Sequence, residues 1–379
     1  MDFYIPALRW YNILTTMFRF LTLQDEAFGL DINDLSLKIA KLKKGSRGFV
    51  LTSFNEVKIP LGVMEDGAIK DEAALSKIIK SACDTVKGKK LKTKYVVASL
   101  PEGKSFLQVI QMPKMSEEEL KLAVPLEAEN YIPMPIDEVY LDFQVIPPIK
   151  DYFNHLEVLI VAMPKKVVDS YATCFKKAGL IPIVFEVESE AIARALVKKE
   201  IDSSLLILID FGENHTNFIV FSGRSIRFTC SIPISSAFLT KAISESLKIN
   251  FNEAEKMKIE YGLTGKKNSV EAERVCQIIS RTLEDLIAQI KKYINFYREH
   301  SSYEYLLENG KTEKILLCGG GSELKGLSDF MSKKLKTTVE LGDPFINFLQ
   351  KKPKNIIKKN PIFFTTAIGL ALRQINNNI

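Results

Sequence analysis

Leu205-Leu-Ile-Leu-Ile-Asp210-Phe211-Gly212-Glu-Asn-His215-Thr216-Asn-Phe-Ile-Val-Phe221 is the stretch on which the fold turns. An unbroken apolar run ends on an aspartate, a glycine follows two residues later, and a second apolar run begins after a few polar residues. This predicts two antiparallel strands joined by a tight turn. A carboxylate at the end of a buried strand, the backbone amides around Gly212 and the Thr216 hydroxyl are suited to holding nucleotide phosphates and a hydrated Mg²⁺. Asp-x-Gly is also ordinary hairpin chemistry, so the function must be argued from the company this hairpin keeps.

The 379 residues, 46% hydrophobic and 26% charged, are enough for several units of structure around large apolar cores. A formal net charge of +6, with lysine clusters alternating with acidic segments, argues against a dedicated nucleic-acid protein. The five cysteines are scattered and never form a CxxC pair, which suggests reduced thiols and a cytoplasmic setting. No apolar run has the length needed to span a bilayer. Residues 1–26 form an aromatic extension that contains Trp10, Arg9 and Arg19, and they read either as a segment folded on the core or as a helix making peripheral membrane contact.

From residue 27 the pattern predicts strands over 27–42 with a turn at Asn33-Asp34, a strand over 47–57 and an amphipathic helix over 71–86. The lysine-rich connector 87–94 reads as a solvated loop. Residues 95–185 read β-β-α-β-β-α-β, an inserted α+β unit in which Ser116 and Glu119 form a capping box. Residues 186–203 return to the first lobe. The remainder, 204–379, contains the Asp210 hairpin, a helical insertion over 236–310 with a long helix from about 269 to 300, and a closing helix over 361–373. The lysines of 351–359 read as a solvated loop.

Three further features gather around Asp210. An earlier hairpin carries Asp31 near its turn, as the later one carries Asp210. A buried strand over 314–318 runs into Gly319-Gly320-Gly321, where backbone amides approach a nucleotide without obstruction from side chains. Glu255 and Lys258 lie three apart on one helix face, placed to bond a ribose and cover a base, or simply to pair with each other.

In this order the motifs resemble the actin and sugar-kinase superfamily and, within it, the PilM family of type IV pilus assembly. The resemblance rests on Phe28-Gly-Leu-Asp31 with Ser36 and Lys38, on Asp210-Phe-Gly212 with Thr216, on Gly319-Gly320-Gly321 and on Ala367 to Arg373. It rests most specifically on Met112-Pro113, Glu127-Ala-Glu129-Asn-Tyr131-Ile-Pro133-Met-Pro135 and Leu141-Asp142-Phe-Gln144 in the insert. It implies an α/β, actin-like (ribonuclease H-like) two-lobed fold, the insert being the small subdomain called 1C and similar to SHS2 domains. It implies ATP and Mg²⁺ as cofactors. Asp31 and Asp210 would hold the metal, Asn33, Ser36 and Lys38 would line the first phosphate loop, and Glu188 would orient water for a weak ATPase that is mainly an assembly protein. The implied partner is the N-terminal peptide of a single-span inner-membrane pilus protein, PilN-like, bound at the cytoplasmic face of the inner membrane. Pilus motor components are further implied partners.

Departures from the family pattern concentrate in the first loop. Asn33 and Asp34 stand where glycine and then Ser or Thr are expected, Ser235-Ser236 replace paired glycines, and Ser189 replaces a proline after Glu188. An FtsA-like cell-division filament protein and a scaffold that holds nucleotide without turnover remain as alternatives.

Overall fold

The structure, a computed structural model, describes residues 26–45, 48–147, 154–198, 205–264, 269–300, 314–348 and 361–376. The aromatic extension up to residue 25 and the lysines of 351–359 lie outside the described residues. The chain divides into two compact units, the first comprising 1–194, 348–356 and 366–379 and the second 195–347 and 357–365.

The first unit opens with β1 (Phe28–Ile32), β2 (Ser36–Gly45) and β3 (Gly48–Lys58), an antiparallel meander in which Asp31 faces Lys38 across the ladder. The short pair β4 (Met64–Glu65) and β5 (Ala68–Ile69) leads to α1 (Glu72–Asp84), whose start is fixed by Asp71 accepting the Ala74 N–H at 2.9 Å. Then come β6 (Lys87–Gly88), β7 (Tyr95–Leu100), β8 (Phe106–Pro113), α2 (Glu117–Ala128), β9 (Val139–Ile146), β10 (His155–Pro164), α3 (Lys165–Lys177), β11 (Ile181–Val187) and α4 (Glu188–Leu196). Six of these strands form one sheet in the order β11-β7-β1-β2-β3-β6.

This topology corrects the expected limits of the insert. The strands at its two ends, β7 and β11, lie parallel to β1 and to each other within the six-stranded sheet. Their apolar stretches, such as Val96-Val97-Ala98, are those of strands covered on both faces, a property the local pattern shares with a strand of any buried sheet. What forms a separate layer is the antiparallel set β8-β10-β9 with α2 across it, around Ile110, Leu120, Val124, Val158 and Ile160. The capping box of α2 is present: Glu119 accepts the Ser116 N–H at 2.7 Å and Ser116 Oγ accepts the Glu119 N–H at 3.3 Å.

The second unit carries β12 (Leu206–Phe211), β13 (Thr216–Ser222), β14 (Ser225–Ile232), α5 (Ser236–Leu247), α6 (Phe251–Tyr261), α7 (Val270–His300), β15 (Lys314–Cys318), α8 (Leu327–Leu335) and β16 (Val339–Leu341). Its strands run in the order β16-β15-β12-β13-β14. Val275, Ile279, Leu283, Leu286 and Ile290 of α7 are buried against this sheet at helical spacing, as the sequence predicts.

The closing helix α9 (Thr365–Asn376) also corrects an expectation, because from residue 366 it belongs with the first unit. Two glycines permit this. A Cβ on Gly29 of β1 would sit 2.3 Å from the Ala367 carbonyl oxygen, and one on Gly369 would sit 1.9 Å from that of Ala191. The helix backbone therefore lies directly on β1 and on α4, a closeness set by contacts from distant parts of the chain.

Candidate functional site

In the first unit the β1–β2 turn is built around Asn33. Its side-chain oxygen accepts the N–H of Leu35 at 3.2 Å, the N–H of Ser36 at 2.9 Å and the Ser36 hydroxyl at 3.1 Å. Those are the donors that an anion entering this loop would need, and an internal neutral acceptor already occupies them. Asp34 does not crowd that position, because its carboxylate accepts the Gly67 N–H at 2.8 Å and thereby joins the turn to the β4–β5 pair. Asp31 is 5% exposed. One of its oxygens accepts from the Ser99 hydroxyl at 3.0 Å and the other lies 3.8 Å from the Lys38 ammonium. Asn33, Ser36, Lys38 and Asp31 are thus brought together, and they chiefly satisfy one another.

Glu188 begins α4 and is half-buried, and Ser189 behind it is fully buried. Where a proline would have no donor, the Ser189 N–H donates to Glu102 Oε2 at 3.0 Å. A buried carboxylate thus caps the helix that carries Glu188, where the helix dipole favours negative charge. Tyr171, 1% exposed, donates its hydroxyl to the Gly67 carbonyl at 3.0 Å. Burial, then the nearby carboxylates of Glu188, Asp34 and Asp31, push its pKa well above the usual tyrosine range. Tyr171 stays protonated and fixes the Gly67 turn from which Asp34 is held. Glu102 and Tyr171 were not singled out from the sequence. A usable signal existed for Glu102, namely an acid just past the end of a strand in a chain whose Ser189 has an N–H to satisfy.

In the second unit the Asp210 hairpin forms as predicted, with Asp210 facing Asn217 and Phe211 facing Thr216 across the ladder. The Gly212 N–H donates to the His215 carbonyl at 3.0 Å, and the Gly212 and Glu213 carbonyls accept the first amides of α5, from Ser236 and Ala237, each at 3.0 Å. The helix N-terminus at Ser235-Ser236 is therefore capped by the hairpin itself. Thr216 is corrected by its burial: it is 0% exposed and donates its hydroxyl to the Ile234 carbonyl, which anchors β13 rather than presenting a ligand atom. Asp210 is half-buried and is paired in register with Cys318 of β15, immediately before the glycines.

A Cβ on Gly319, whose φ is +80°, would sit 2.2 Å from Asp210 Oδ1. One on Gly321 would meet the Phe211 ring at 2.6 Å, and one on Gly320 the Phe363 ring at 3.1 Å. The three glycines let the turn after β15 lie against the Asp210 hairpin. They bring Asp210 and the Gly319 backbone into contact, and protein atoms account for the missing side chains.

Glu255 and Lys258 pair at 2.8 Å. The Lys258 ammonium also donates to the Ser236 carbonyl at 3.0 Å and to the hydroxyls of Ser236 and Thr240, both at 2.8 Å, while Thr240 donates to Glu255. Lys258 is 5% exposed, and its pKa is lowered, with burial dominating over the opposing pull of Glu255 and Glu213. The pair therefore ties α6 to α5. Of the two expected metal ligands, Asp31 has both oxygens engaged by protein, and Asp210 is half-buried.

Comparison with known proteins places these units. The family profile described as type IV pilus assembly protein PilM matches residues 29–375. The solved structure titled PilM-PilN type IV pilus biogenesis complex contains a chain 27% identical to this one. It superposes with a TM-score of 0.77 over 93% of this chain and 100% of that chain. Cell division protein FtsA of Pseudomonas aeruginosa is 24% identical over 213 residues, 52% of this chain and 49% of its own length, so the chain spans about half the length of the curated relatives it matches. MreB 5 of Spiroplasma citri, solved bound to AMPPNP, is 12% identical with a TM-score of 0.56 over 94% of this chain and 100% of that one, a likeness of fold alone. The fold is actin-like, and the chain belongs to the type IV pilus assembly protein PilM family.

Proposed function

We propose that this PilM-family chain is a nucleotide-binding assembly component of the type IV pilus machine at the cytoplasmic face of the inner membrane. There it takes the N-terminal peptide of a PilN-like single-span protein. The observation that carries the reading is the match over nearly the whole chain to the PilM family profile and to a chain of the PilM–PilN type IV pilus biogenesis complex. No described helix is long and apolar enough to cross a membrane. An extended peptide gains main-chain hydrogen bonds from a strand edge and specificity from apolar pockets. β11 and β9 both end their runs of strands, and Ile183 of β11 is an exposed apolar side chain at such an edge. Calorimetric titration of the full chain with a synthetic peptide of the partner's cytoplasmic segment should give saturable binding, and absence of binding would sink the reading.

The nucleotide is held rather than turned over. Asn33 already fills the amides of the first loop, and Asp31 is engaged by Lys38 and Ser99, which favours holding over turnover. Asp210, with the backbone around Gly319, would contact ATP and its Mg²⁺, which would screen the phosphate charge. Nucleotide released from gently purified protein, with no phosphate produced on incubation with ATP, is the expected result. Steady phosphate release that disappears in Glu188→Gln would overturn it.

A further inference from the structure

The lysine-rich connector 87–94 is not a free loop. Lys87 and Gly88 pair with Phe54 and Ser53 of β3, and the Lys89 N–H donates to the Thr52 carbonyl at 2.9 Å. The Ser53 hydroxyl donates to the Lys89 carbonyl at 2.6 Å, and the Lys94 carbonyl accepts the Ile181 N–H at 2.8 Å. Pinned at both ends, this strap forms one wall of a cavity of about 860 Å³ within the first unit, at the end where β7 and β11 begin.

Five lysines line that cavity, Lys41, Lys80, Lys92, Lys94 and Lys177, against two carboxylates, Glu26 and Asp84. Lys41 is held by Glu26 at 2.8 Å and Lys177 by Glu72 at 2.5 Å. Helices α1 and α3 end here, and the partial negative charge at the C-terminus of α3 favours Lys177 in its last turn, whereas the last turn of α1 carries no basic residue. Lys92 and Lys94 belong to no helix, so neither that field nor a described ion pair requires them. Tyr95, Leu91 and Leu180 give the cavity an apolar side.

We propose that this cavity binds a phosphate-bearing anion, either a soluble polyphosphate group or the phosphate of a lipid headgroup. Its volume is that of a small-ligand site. Lysine serves as a point-charge phosphate binder, and a strap already fixed by backbone hydrogen bonds loses little freedom when the ligand enters. Glu26 is the built-in competitor, since its carboxylate holds the ammonium of Lys41. The site is distinct from the Asn33 turn, which lies at the far end of β1, the parallel partner of β7.

The test titrates sodium tripolyphosphate into the full chain by calorimetry and, in parallel, floats the chain with phosphatidylcholine vesicles with and without phosphatidylglycerol. Saturable tripolyphosphate binding that weakens with salt is expected. In K92E/K94E it should fall by at least about tenfold, and in Glu26→Gln, which frees the buried Lys41, it should tighten about two- to fivefold, as expected when positive charge facing an anion is removed or released. Association with anionic vesicles that is lost in K92E/K94E assigns the lipid source; tripolyphosphate binding without vesicle association assigns the soluble one. Binding to neither, or binding unchanged in K92E/K94E, overturns the proposal. Should K92E/K94E fail to fold, Glu26→Gln decides alone, and unchanged or weaker binding in it is equally fatal.

Discussion

The side-chain oxygen of Asn33 accepts the backbone N–H of Ser36 at 2.9 Å, so the β1–β2 turn, the first phosphate loop of the proposed nucleotide site, is closed by its own residue. Any phosphate entering must displace an acceptor that also bonds Leu35 N–H and the Ser36 hydroxyl. Asn33→Gly should therefore raise nucleotide affinity, by about five- to thirtyfold if the competition is worth about 1–2 kcal/mol. Titration with a fluorescent ATP analogue reads this directly. An unchanged or weaker affinity in a folded variant would show that this turn does not meet the nucleotide.

The contact between Gly319 and Asp210 makes a second prediction. With φ at +80° and only 2.2 Å between a built Cβ and Asp210 Oδ1, alanine at 319 is both strained and obstructed. Gly319→Ala should cost about 1–3 kcal/mol and displace Asp210, lowering nucleotide affinity as well. Gly320→Ala, where the nearest atom is Phe363 Cε1 at 3.1 Å, should cost less than Gly319→Ala because a ring edge can shift. Equal losses in thermal melts of the two variants would count against this account of the turn.

Much of this was legible because it is local. The Asp210 hairpin, the Ser116–Glu119 capping box and the α7 face of Val275, Ile279, Leu283 and Leu286 each follow from residues within a few turns of one another. What was not legible depends on partners far along the chain. Glu102 reaches Ser189 across 87 positions and Tyr171 reaches Gly67 across 104, and β7 and β11 join β1 by pairings that no local pattern encodes. The sequence marks Thr216 and Lys258 as candidate ligands because a hydroxyl or an ammonium near a glycine turn has the same local signature whether it faces solvent or is already bonded inside. Burial decides between the two readings.

Lys258 and Thr240 form one network between α5 and α6, joined at 2.8 Å and sharing Glu255. Lys258→Met and Thr240→Val should each lower stability by about 1–3 kcal/mol, since each leaves buried or half-buried polar partners unsatisfied. Because they act on the same bonds, the double variant should lose clearly less than the sum. Denaturant melts of the four proteins complete the cycle, and strict additivity would mean that the two residues act separately.

The charges around α9 make stability depend on pH. Glu186 is fully buried, and although burial alone would push its pKa up, Arg194 and Arg373 hold it below the usual carboxylate value through bonds at 2.5, 2.8 and 2.7 Å. Glu190, 3.9 Å from Arg373, is pushed up to about 7 by burial and then by the negative charge of Glu186. A carboxyl group raised in the folded state binds its proton more tightly there than in the unfolded chain. Its contribution is therefore fully present below the unfolded value near about 4.3 and is lost as pH rises through about 7. The wild-type chain should melt at a higher temperature near pH 6 than near pH 8 by this group's share, with other titrations superimposed. Glu190→Gln removes that share, so the decline between these pH values should flatten and the variant should exceed wild type on the alkaline side. A variant whose melting temperature tracks wild type across the range would show that Glu190 carries its charge at neutral pH without penalty.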